Sequence, residues 1–291
     1  MSRALAFLFP ALLGAAQLTV DHATVAGTNL AEMRAKLASA GLQCEYGGRH
    51  NNHATEMAIT SFPDGSYLEL IALQSDADAK AVAAHEWAKQ MQNNTGPCAW
   101  ASRATDLAAE LARLRQNGID VGVAARNGRA RPDGVKLDWE TARVGREPNG
   151  TFFPFLIHDF TPRDLRAFPG GKPTTQEFSG IIKIVIAVRD LDAAAARYAK
   201  AYGASVKARE TDTSFGARLA LVSGTPVVLA APLDDNHWLS RRLNQIGEGP
   251  CAFILGASSN ARRKPASQSH WFGATIGWFD LEKLGWRLGY E

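Results

Sequence analysis

The sequence has few cysteines and no cysteine pair that is spaced for a metal site. Its 291 residues include three cysteines, Cys44, Cys98 and Cys251, and none of them forms a C-x-x-C pair. Neither a zinc knuckle nor a dense disulfide scaffold is therefore indicated. Apolar residues make up 46% of the chain, which is ordinary for a globular protein that is held together by packing.

Long apolar runs are missing beyond the N-terminus. Met1-Ser2-Arg3 precedes an apolar segment, Ala4 to Leu13, and small residues continue to Ala16. This segment is too short to span a bilayer as a helix, but it fits a secretory signal peptide over residues 1–16. We expect cleavage after Ala16, a mature protein that is periplasmic or secreted, and no membrane segment afterwards. The alternative is an uncleaved extension of a cytoplasmic protein.

Several catalytic and nucleic-acid signatures are also absent. There is no G-x-S-x-G, no G-x-x-x-x-G-K-[ST], no H-E-x-x-H and no G-x-G-x-x-G after a predicted strand. Serine hydrolase, nucleotide hydrolase and dinucleotide-dependent activities therefore lose their sequence support. The net charge is only +3, and the basic clusters have no aromatic residues between them. We interpret these clusters as solvated loops and expect no nucleic-acid partner. The clusters are Arg126, Arg129 and Arg131, and Arg262-Arg263-Lys264.

One carboxylate stands in an apolar stretch. The run Tyr67-Leu68-Glu69-Leu70-Ile71 follows a Pro63-Asp64-Gly65 turn and predicts a buried strand with Glu69 in its middle. A second strand-like run, Val20 to Val25, carries His22. A buried carboxylate requires a cation or hydrogen-bond donors, and a carboxylate beside an imidazole forms half of a metal site. The alternative is that Glu69 pairs with an arginine and His22 is a hydrogen-bonded core histidine.

A pattern of one strand, one helix and three strands occurs four times along the chain. The four units begin near His22, Gly96, Ile181 and Gly249. The last unit has lost its helix, because Gly256 to Ser269 is polar and is broken by a proline.

These units are expected to pair into two domains. The first domain spans residues 17–166, a linker rich in glycine and proline spans 167–179, and a second, degenerate domain spans 180–291. Only the first domain contains the candidate metal site.

A β-α-β-β-β repeat with a histidine on its first strand and a glutamate on its fourth resembles the vicinal oxygen chelate superfamily. This superfamily contains glyoxalases, extradiol dioxygenases and bleomycin-resistance proteins, and the chain looks most similar to bacterial glyoxalase-like domain proteins. The matching segments are Asp21-His22, Gly47 to His50, Ala54-Thr55, Gly65 to Ile71, Pro154 to Ile157, Thr161-Pro162-Arg163, Arg166 and Ile186 to Leu191.

The resemblance implies an α+β fold in which tandem β-α-β-β-β modules pair into two half-open barrels, with the fourth module degenerate. It also implies a divalent metal ion, such as Zn, Fe, Mn or Ni, with His22 and Glu69 as ligands. The position that matches His22 in the second unit falls near Ala99, which cannot bind a metal. His50 and His158 remain as alternative further ligands, and His53 is a weaker candidate than either of them.

The second domain departs from this pattern. Its positions that match His22 and Glu69 are Lys183 and Val228, so we expect no metal site there.

The resemblance implies a small-molecule substrate with two vicinal oxygens and a lyase, isomerase or dioxygenase reaction, with Glu69 as a catalytic residue. Arg163 and Arg166 are candidates to bind a substrate carboxylate, or they form surface ion pairs. The alternative function is sequestration of a small molecule without turnover, as in bleomycin-resistance proteins. A homodimer is a further possibility for the assembly of the chain.

Overall fold

The computed structural model describes residues 18–131, 133–146, 148–259 and 261–291. The predicted signal peptide and its cleavage site lie outside the described residues. Within these ranges, every helix is too short or too polar to cross a membrane.

Strands dominate the described chain, and short helices separate them. In chain order the elements are β1 (Val20–Ala26), α1 (Leu30–Ser39), β2 (Glu45–Arg49), β3 (Thr55–Ser61), β4 (Tyr67–Leu73), α2 (Ala79–Ala84), α3 (Ala88–Gln92), β5 (Gly96–Arg103), α4 (Leu107–Gln116), β6 (Ala125–Ala130), β7 (Lys136–Ala142), β8 (Phe155–Asp159), α5 (Arg163–Ala167), β9 (Phe178–Ala187), α6 (Leu191–Tyr202), β10 (Val206–Asp212), β11 (Ala217–Val222), β12 (Val227–Pro232), α7 (Trp238–Ile246), β13 (Gly249–Ala257), β14 (Ser267–Trp271), β15 (Ala274–Trp278), α8 (Leu281–Leu284) and β16 (Arg287–Tyr290).

The strands form two eight-stranded sheets with the same connectivity. The first sheet has the order β2-β3-β4-β1-β5-β8-β7-β6, and the second has the order β10-β11-β12-β9-β13-β16-β15-β14. Each sheet curls into a nearly closed barrel that is built from two modules. In the described part of the fourth module, no helix separates β13 from β14. The predicted α+β fold of paired β-α-β-β-β modules, with the fourth module degenerate, is confirmed.

The central strands of the two sheets carry a bulge at the same place. In β1, Val20 and His22 pair with successive residues of β5, so Asp21 is the extra residue. In β9 the same shift leaves Ile182 as the extra residue. A bulge changes the direction of adjacent side chains. It therefore allows Asp21 and His22 to approach each other although they are neighbours in the chain.

Strand registers relate the two halves residue by residue. The pair formed by Thr24 of β1 and Glu69 of β4 corresponds to the pair formed by Val185 of β9 and Val228 of β12. Counted from Val185, Lys183 lies at the position of His22. The registers thus place Lys183 and Val228 where the first half has His22 and Glu69.

The outer strands of the first sheet, β2 and β6, meet at a seam. Arg129 of β6 donates a hydrogen bond from Nη1 to the carbonyl oxygen of Gly47 in β2. Asn51 donates from Nδ2 to the carbonyl oxygen of Gly128 at 3.2 Å. A Cβ at Gly47 would lie 2.3 Å from Sδ of Met57, so a larger residue there would displace the Met57 side chain. The interpretation of residues 126–131 as a solvated loop is wrong for Arg129, which lies in a strand and is buried.

The two sheets share one apolar core. A single cluster of buried side chains includes Trp100 and Phe152 of the first half and Tyr198 and Phe253 of the second. The hydroxyl of Tyr198 donates to the carbonyl oxygen of Phe152 at 2.6 Å.

A half-buried guanidinium adds a polar connection between the halves. Arg242 of α7 donates to the carbonyl oxygens of Thr95 and Pro97 in the first half and of Pro250 in the second. The strands β5 and β13, which carry these prolines, also lie against each other.

Candidate functional site

The interior of the first barrel contains a cavity of about 290 Å³. Its wall includes His22, His50, Glu69 and Arg129, together with aromatic side chains that include Tyr67, Trp87, Trp139 and Phe155. Small-molecule sites usually combine an apolar wall with a few convergent polar groups, and this cavity has that composition.

Glu69 lies at the centre of the polar groups and is 7% exposed. Thr24, its register partner on β1, donates from Oγ1 to Oε2 at 3.2 Å. His22 Nε2 is 3.5 Å from the same oxygen, and His50 Nε2 is 3.7 Å from Oε1. The structure therefore brings together three of the residues that the sequence singled out.

His22 is held in one orientation. Its Nδ1 lies 2.6 Å from Oδ1 of Asp21. Its ring stacks on Tyr67 with centroids 4.8 Å apart, and Phe155 contacts it edge-on at 5.3 Å. Since a carboxylate only accepts hydrogen bonds, we assign the ring proton to Nδ1. In the neutral ring, Nε2 then carries a lone pair that faces Glu69.

Asp21 is itself fixed by two arginines. Arg166 donates to both carboxylate oxygens of Asp21, at 3.0 and 2.9 Å, and Arg163 also donates to Oδ2. Burial alone raises the pKa of Asp21, but Arg166 and then Arg163 outweigh that effect and hold the pKa well below its usual range. Asp21 is therefore an anion at neutral pH and accepts a hydrogen bond from Nδ1 of His22.

The two candidate substrate-binding arginines are thus engaged within the protein. Arg166 borders the cavity, but it also binds Asp159 through two hydrogen bonds and donates to the hydroxyl of Tyr67 at 2.6 Å. Arg163 pairs with Asp21 and Asp159 and donates to a carbonyl oxygen. Both arginines therefore support Asp21, and Arg166 does so while it borders the cavity.

The other candidate histidines lie elsewhere. Alternation along β8 directs Phe155 and Ile157 into the cavity, whereas His158 lies outside the cavity wall with its Nδ1 2.9 Å from the carbonyl oxygen of Ala104. His53 is exposed at a turn with φ of 56° and is not part of the wall. The structure therefore places His50, and not His158 or His53, beside Glu69.

Some residues of the cavity wall were not predicted from the sequence. Arg129 comes from β6, and His85 comes from the loop between α2 and α3, which also brings Trp87. Nδ1 of His85 accepts a hydrogen bond from the backbone N–H of Trp87 at 3.1 Å, and burial lowers the pKa of His85. Burial likewise lowers the pKa of His50, which keeps that imidazole neutral to lower pH.

The donor atoms of this cluster are of the types that bind divalent ions. Two imidazoles and one carboxylate form a common ligand set with open positions. Among residues 18–291, apart from the three left undescribed, no three His, Cys, Asp or Glu side chains are arranged closely enough to hold an ion as they stand. The separations of 3.5 and 3.7 Å compare with roughly 3.0–3.4 Å for neighbouring ligands that lie about 2.1 Å from one ion. Both imidazoles would therefore have to move closer to Glu69 to share one ion with it.

Comparisons with known proteins agree with this fold. The sequence matches the glyoxalase-like domain family over residues 20–182. A hypothetical protein from Staphylococcus aureus is similar in structure, with a TM-score of 0.64, 14% sequence identity, and coverage of 94% of this chain and 98% of that one. A variant of 4-hydroxymandelate synthase from Streptomyces coelicolor aligns with a TM-score of 0.59 and 13% identity, over 84% of this chain and 72% of that one. A comparison with curated sequences finds no match.

Proposed function

Because the chain belongs to the glyoxalase-like domain family, we propose that its first barrel is the active site of a divalent-metal-dependent enzyme. The substrate would be a small molecule with two adjacent oxygens, and the reaction that of a lyase, an isomerase or a dioxygenase.

One observation carries the proposal. The hydrogen bond from Nδ1 to Asp21 leaves Nε2 of His22 with a lone pair 3.5 Å from an oxygen of Glu69. A lone pair and a carboxylate repel each other unless a cation lies between them. A proton or a metal ion supplies that cation, and the second imidazole, His50, on the other oxygen of Glu69 favours the metal ion.

The protein's own residues position the reacting groups. Asp21 fixes the tautomer of His22, and Tyr67 and Phe155 fix the plane of its ring. Thr24 donates a hydrogen bond to Oε2 of Glu69, and the carboxylate of Glu69 would accept a proton from the substrate. When bound, a divalent ion supplies stabilisation of the negative charge that develops on a substrate oxygen.

Metal analysis tests the proposal directly. We expect one equivalent of a divalent ion per wild-type chain, and an affinity at least about 100-fold lower in H22A and E69A, because each loses one of few ligands. K183A is the matched control, since Lys183 has the position of His22 in the other barrel and should leave metal binding unchanged. Full occupancy in a protein that lacks both His22 and Glu69 would contradict the proposal.

A binding protein without turnover is the second candidate, and the buried cation Arg129 in the cavity wall favours it because that cation could hold an anion without a metal. An assay with α-keto hemithioacetals, catechols and 2-oxoacyl compounds separates the two candidates. Turnover that is lost on metal removal and in H22A supports the enzyme. Tight binding that a chelator leaves unchanged, with no product, supports the binding protein.

We also propose that residues 1–16 are a signal peptide and that the mature protein is periplasmic or secreted. N-terminal sequencing of the protein from fractionated cells should find Gln17 as the first residue outside the cytoplasm. Cytoplasmic protein that retains Met1 or Ser2 would contradict this.

A further inference from the structure

Arg129 differs from the other arginines around the site. It is 4% exposed, and its guanidinium group forms part of the cavity wall. Nη1 donates to the carbonyl oxygen of Gly47, whereas Nη2 has no hydrogen-bond partner among the described residues. A buried charged donor without a partner is costly, so such a group usually marks a place where a partner arrives.

The charges around Arg129 do not neutralise it locally. Arg163 and Arg166 share two carboxylates, Asp21 and Asp159, and Nε of Arg103 lies 4.0 Å from Asp21, so these carboxylates have partners of their own. No ion pair within 4 Å joins Arg129 to a carboxylate of the described chain. Burial lowers the pKa of Arg129, and Glu69, which acts on it through space, only partly offsets this effect.

Two carboxylates of the cavity wall, Glu69 and Glu86, outweigh the single charge of Arg129 when Arg166 is counted with its own carboxylate partners. A bound divalent ion would leave the cavity with an excess of positive charge. A neutral substrate would not compensate for this excess, whereas an anionic one would.

We infer that the substrate carries a carboxylate group that binds Arg129, with the two adjacent oxygens at the Glu69 end of the same molecule. This inference rests on the proposed function for the location of the reacting atoms, and it adds the substrate class, a small organic acid with an apolar body.

Three features select this class. A guanidinium binds a carboxylate through two parallel hydrogen bonds. The wall that contains Arg129 and Glu69 also includes Trp139 and Phe155, which suit an apolar body. The volume of about 290 Å³ holds roughly ten groups of water size at about 30 Å³ each, so the ligand is small.

Calorimetric titration with phenylacetate and phenylacetamide tests the inference. The two probes have the same shape and differ in charge, and neither has two adjacent oxygen functions for metal chelation. The full-length chain is titrated in the presence of a chelator, so that metal binding plays no part. The variants are R129Q and R129K, and the matched control is R126Q, because Arg126 lies on the same strand but is exposed and pairs with Asp138.

We expect the wild-type protein and R126Q to prefer phenylacetate over phenylacetamide by about tenfold or more. In R129Q the preference should fall to within about twofold. R129K should be intermediate, because an ammonium group cannot hold both the carbonyl oxygen of Gly47 and two carboxylate oxygens in the same way. R129K also provides the decisive measurement if R129Q does not fold.

Two results would overturn the inference: a preference for the acid that survives in R129Q and R129K, or no preference in the wild-type protein. Metal content is measured separately and should be the same in R129Q and wild type. Loss of the acid preference together with normal metal binding supports both proposals. Absence of metal from the wild-type protein contradicts the proposed function while leaving the result for Arg129 interpretable.

Discussion

The two barrels have the same strand order and the same bulge in the central strand, but their interiors differ. In the first, the bulge directs Asp21 toward His22, and a cavity opens around Glu69. In the second, the corresponding bulge residue is Ile182, and Val228 is fully buried in an apolar cluster. This cluster also contains Phe215, Trp271 and Trp278, whose rings lie 5.0–5.4 Å apart.

The comparison separates what the backbone supplies from what the side chains supply. The backbone places two side chains from neighbouring strands inside the barrel in both halves. In the first half these positions hold His22 and Glu69 beside a cavity. In the second half they hold Lys183, which pairs with Glu291, and Val228, which packs in an aromatic cluster. Fold alone therefore does not determine function, and the same scaffold here holds one candidate site and one core.

The largest effect is expected when a carboxylate is placed in the apolar cluster of the second barrel. At pH 8, V228E should cost roughly 4–5 kcal/mol of unfolding free energy, because burial shifts the pKa of a carboxyl upward by about 3–5 units and each unit up to the working pH costs about 1.4 kcal/mol. The ammonium group of Lys183, at the position of His22, is already paired with Glu291. Urea unfolding at pH 5 and pH 8 measures the effect. Because the pKa is raised, the loss of stability relative to wild type should be smaller at pH 5 than at pH 8. Equal losses at both pH values would contradict this explanation.

Removal of the anion from the first half should have the next largest effect. D21N leaves Arg163 and Arg166 with only Asp159 as a carboxylate partner, and breaking a buried charge cluster costs about 3–5 kcal/mol. I182N is the matched control, because Ile182 is the corresponding bulge residue and forms no ion pair. We expect I182N to lose less unfolding free energy than D21N, with both measured by urea unfolding. Losses of the same size would mean that the bulge, and not the charge, is responsible.

Low pH should lower the stability of the first half because Asp21 becomes protonated. The pKa of Asp21 in the folded protein is well below its usual range, so its contribution to stability is present above the unfolded pKa of about 3.9 and is lost as the pH falls toward the folded value. The melting temperature of the wild-type protein should therefore drop between about pH 5 and pH 2. D21N should show a shallower drop, and parallel curves for the two proteins would contradict the assignment.

The smallest effect is expected from K183H, which copies one ligand into the second half. It removes the ion pair between Lys183 and Glu291, which are partly exposed, so stability should change by less than about 1 kcal/mol. Metal stoichiometry should stay at the wild-type value, because Val228 provides no carboxylate. A second equivalent of metal would show that the two interiors are closer in chemistry than their packing indicates.

Much of this arrangement could be predicted from the sequence. The repeats gave the module order, and the loss of the fourth helix followed from a polar segment with a proline. Glu69 was recognisable because it interrupts an apolar strand, and alternation correctly placed it on the face of Tyr67 and Ile71, which also line the cavity. His22 was recognisable for the same reason.

The remaining site residues depend on contacts that local patterns do not encode. The strand β6 reads ARNGRA and has no apolar alternation, because its inward side faces a cavity and not an apolar core. Arg129 becomes buried only when the two outer strands meet at the seam. The engagement of Arg166 with Asp21 joins residues 145 positions apart. Sequence spacing alone carries no information about such long-range partners.

The shared core also determines how the molecule comes apart. Side chains from both halves form one cluster, and a single guanidinium, that of Arg242, holds carbonyl groups from both prolines of the paired strands. Unfolding of either half would expose apolar surface of the other half. It would also leave the guanidinium of Arg242 without some of its carbonyl partners. The two barrels should therefore melt together in one cooperative calorimetric transition, and a protease cut within residues 167–179 should not release a half that remains folded alone. The repeated architecture is thus thermodynamically a single unit, although only one of its barrels holds the candidate site.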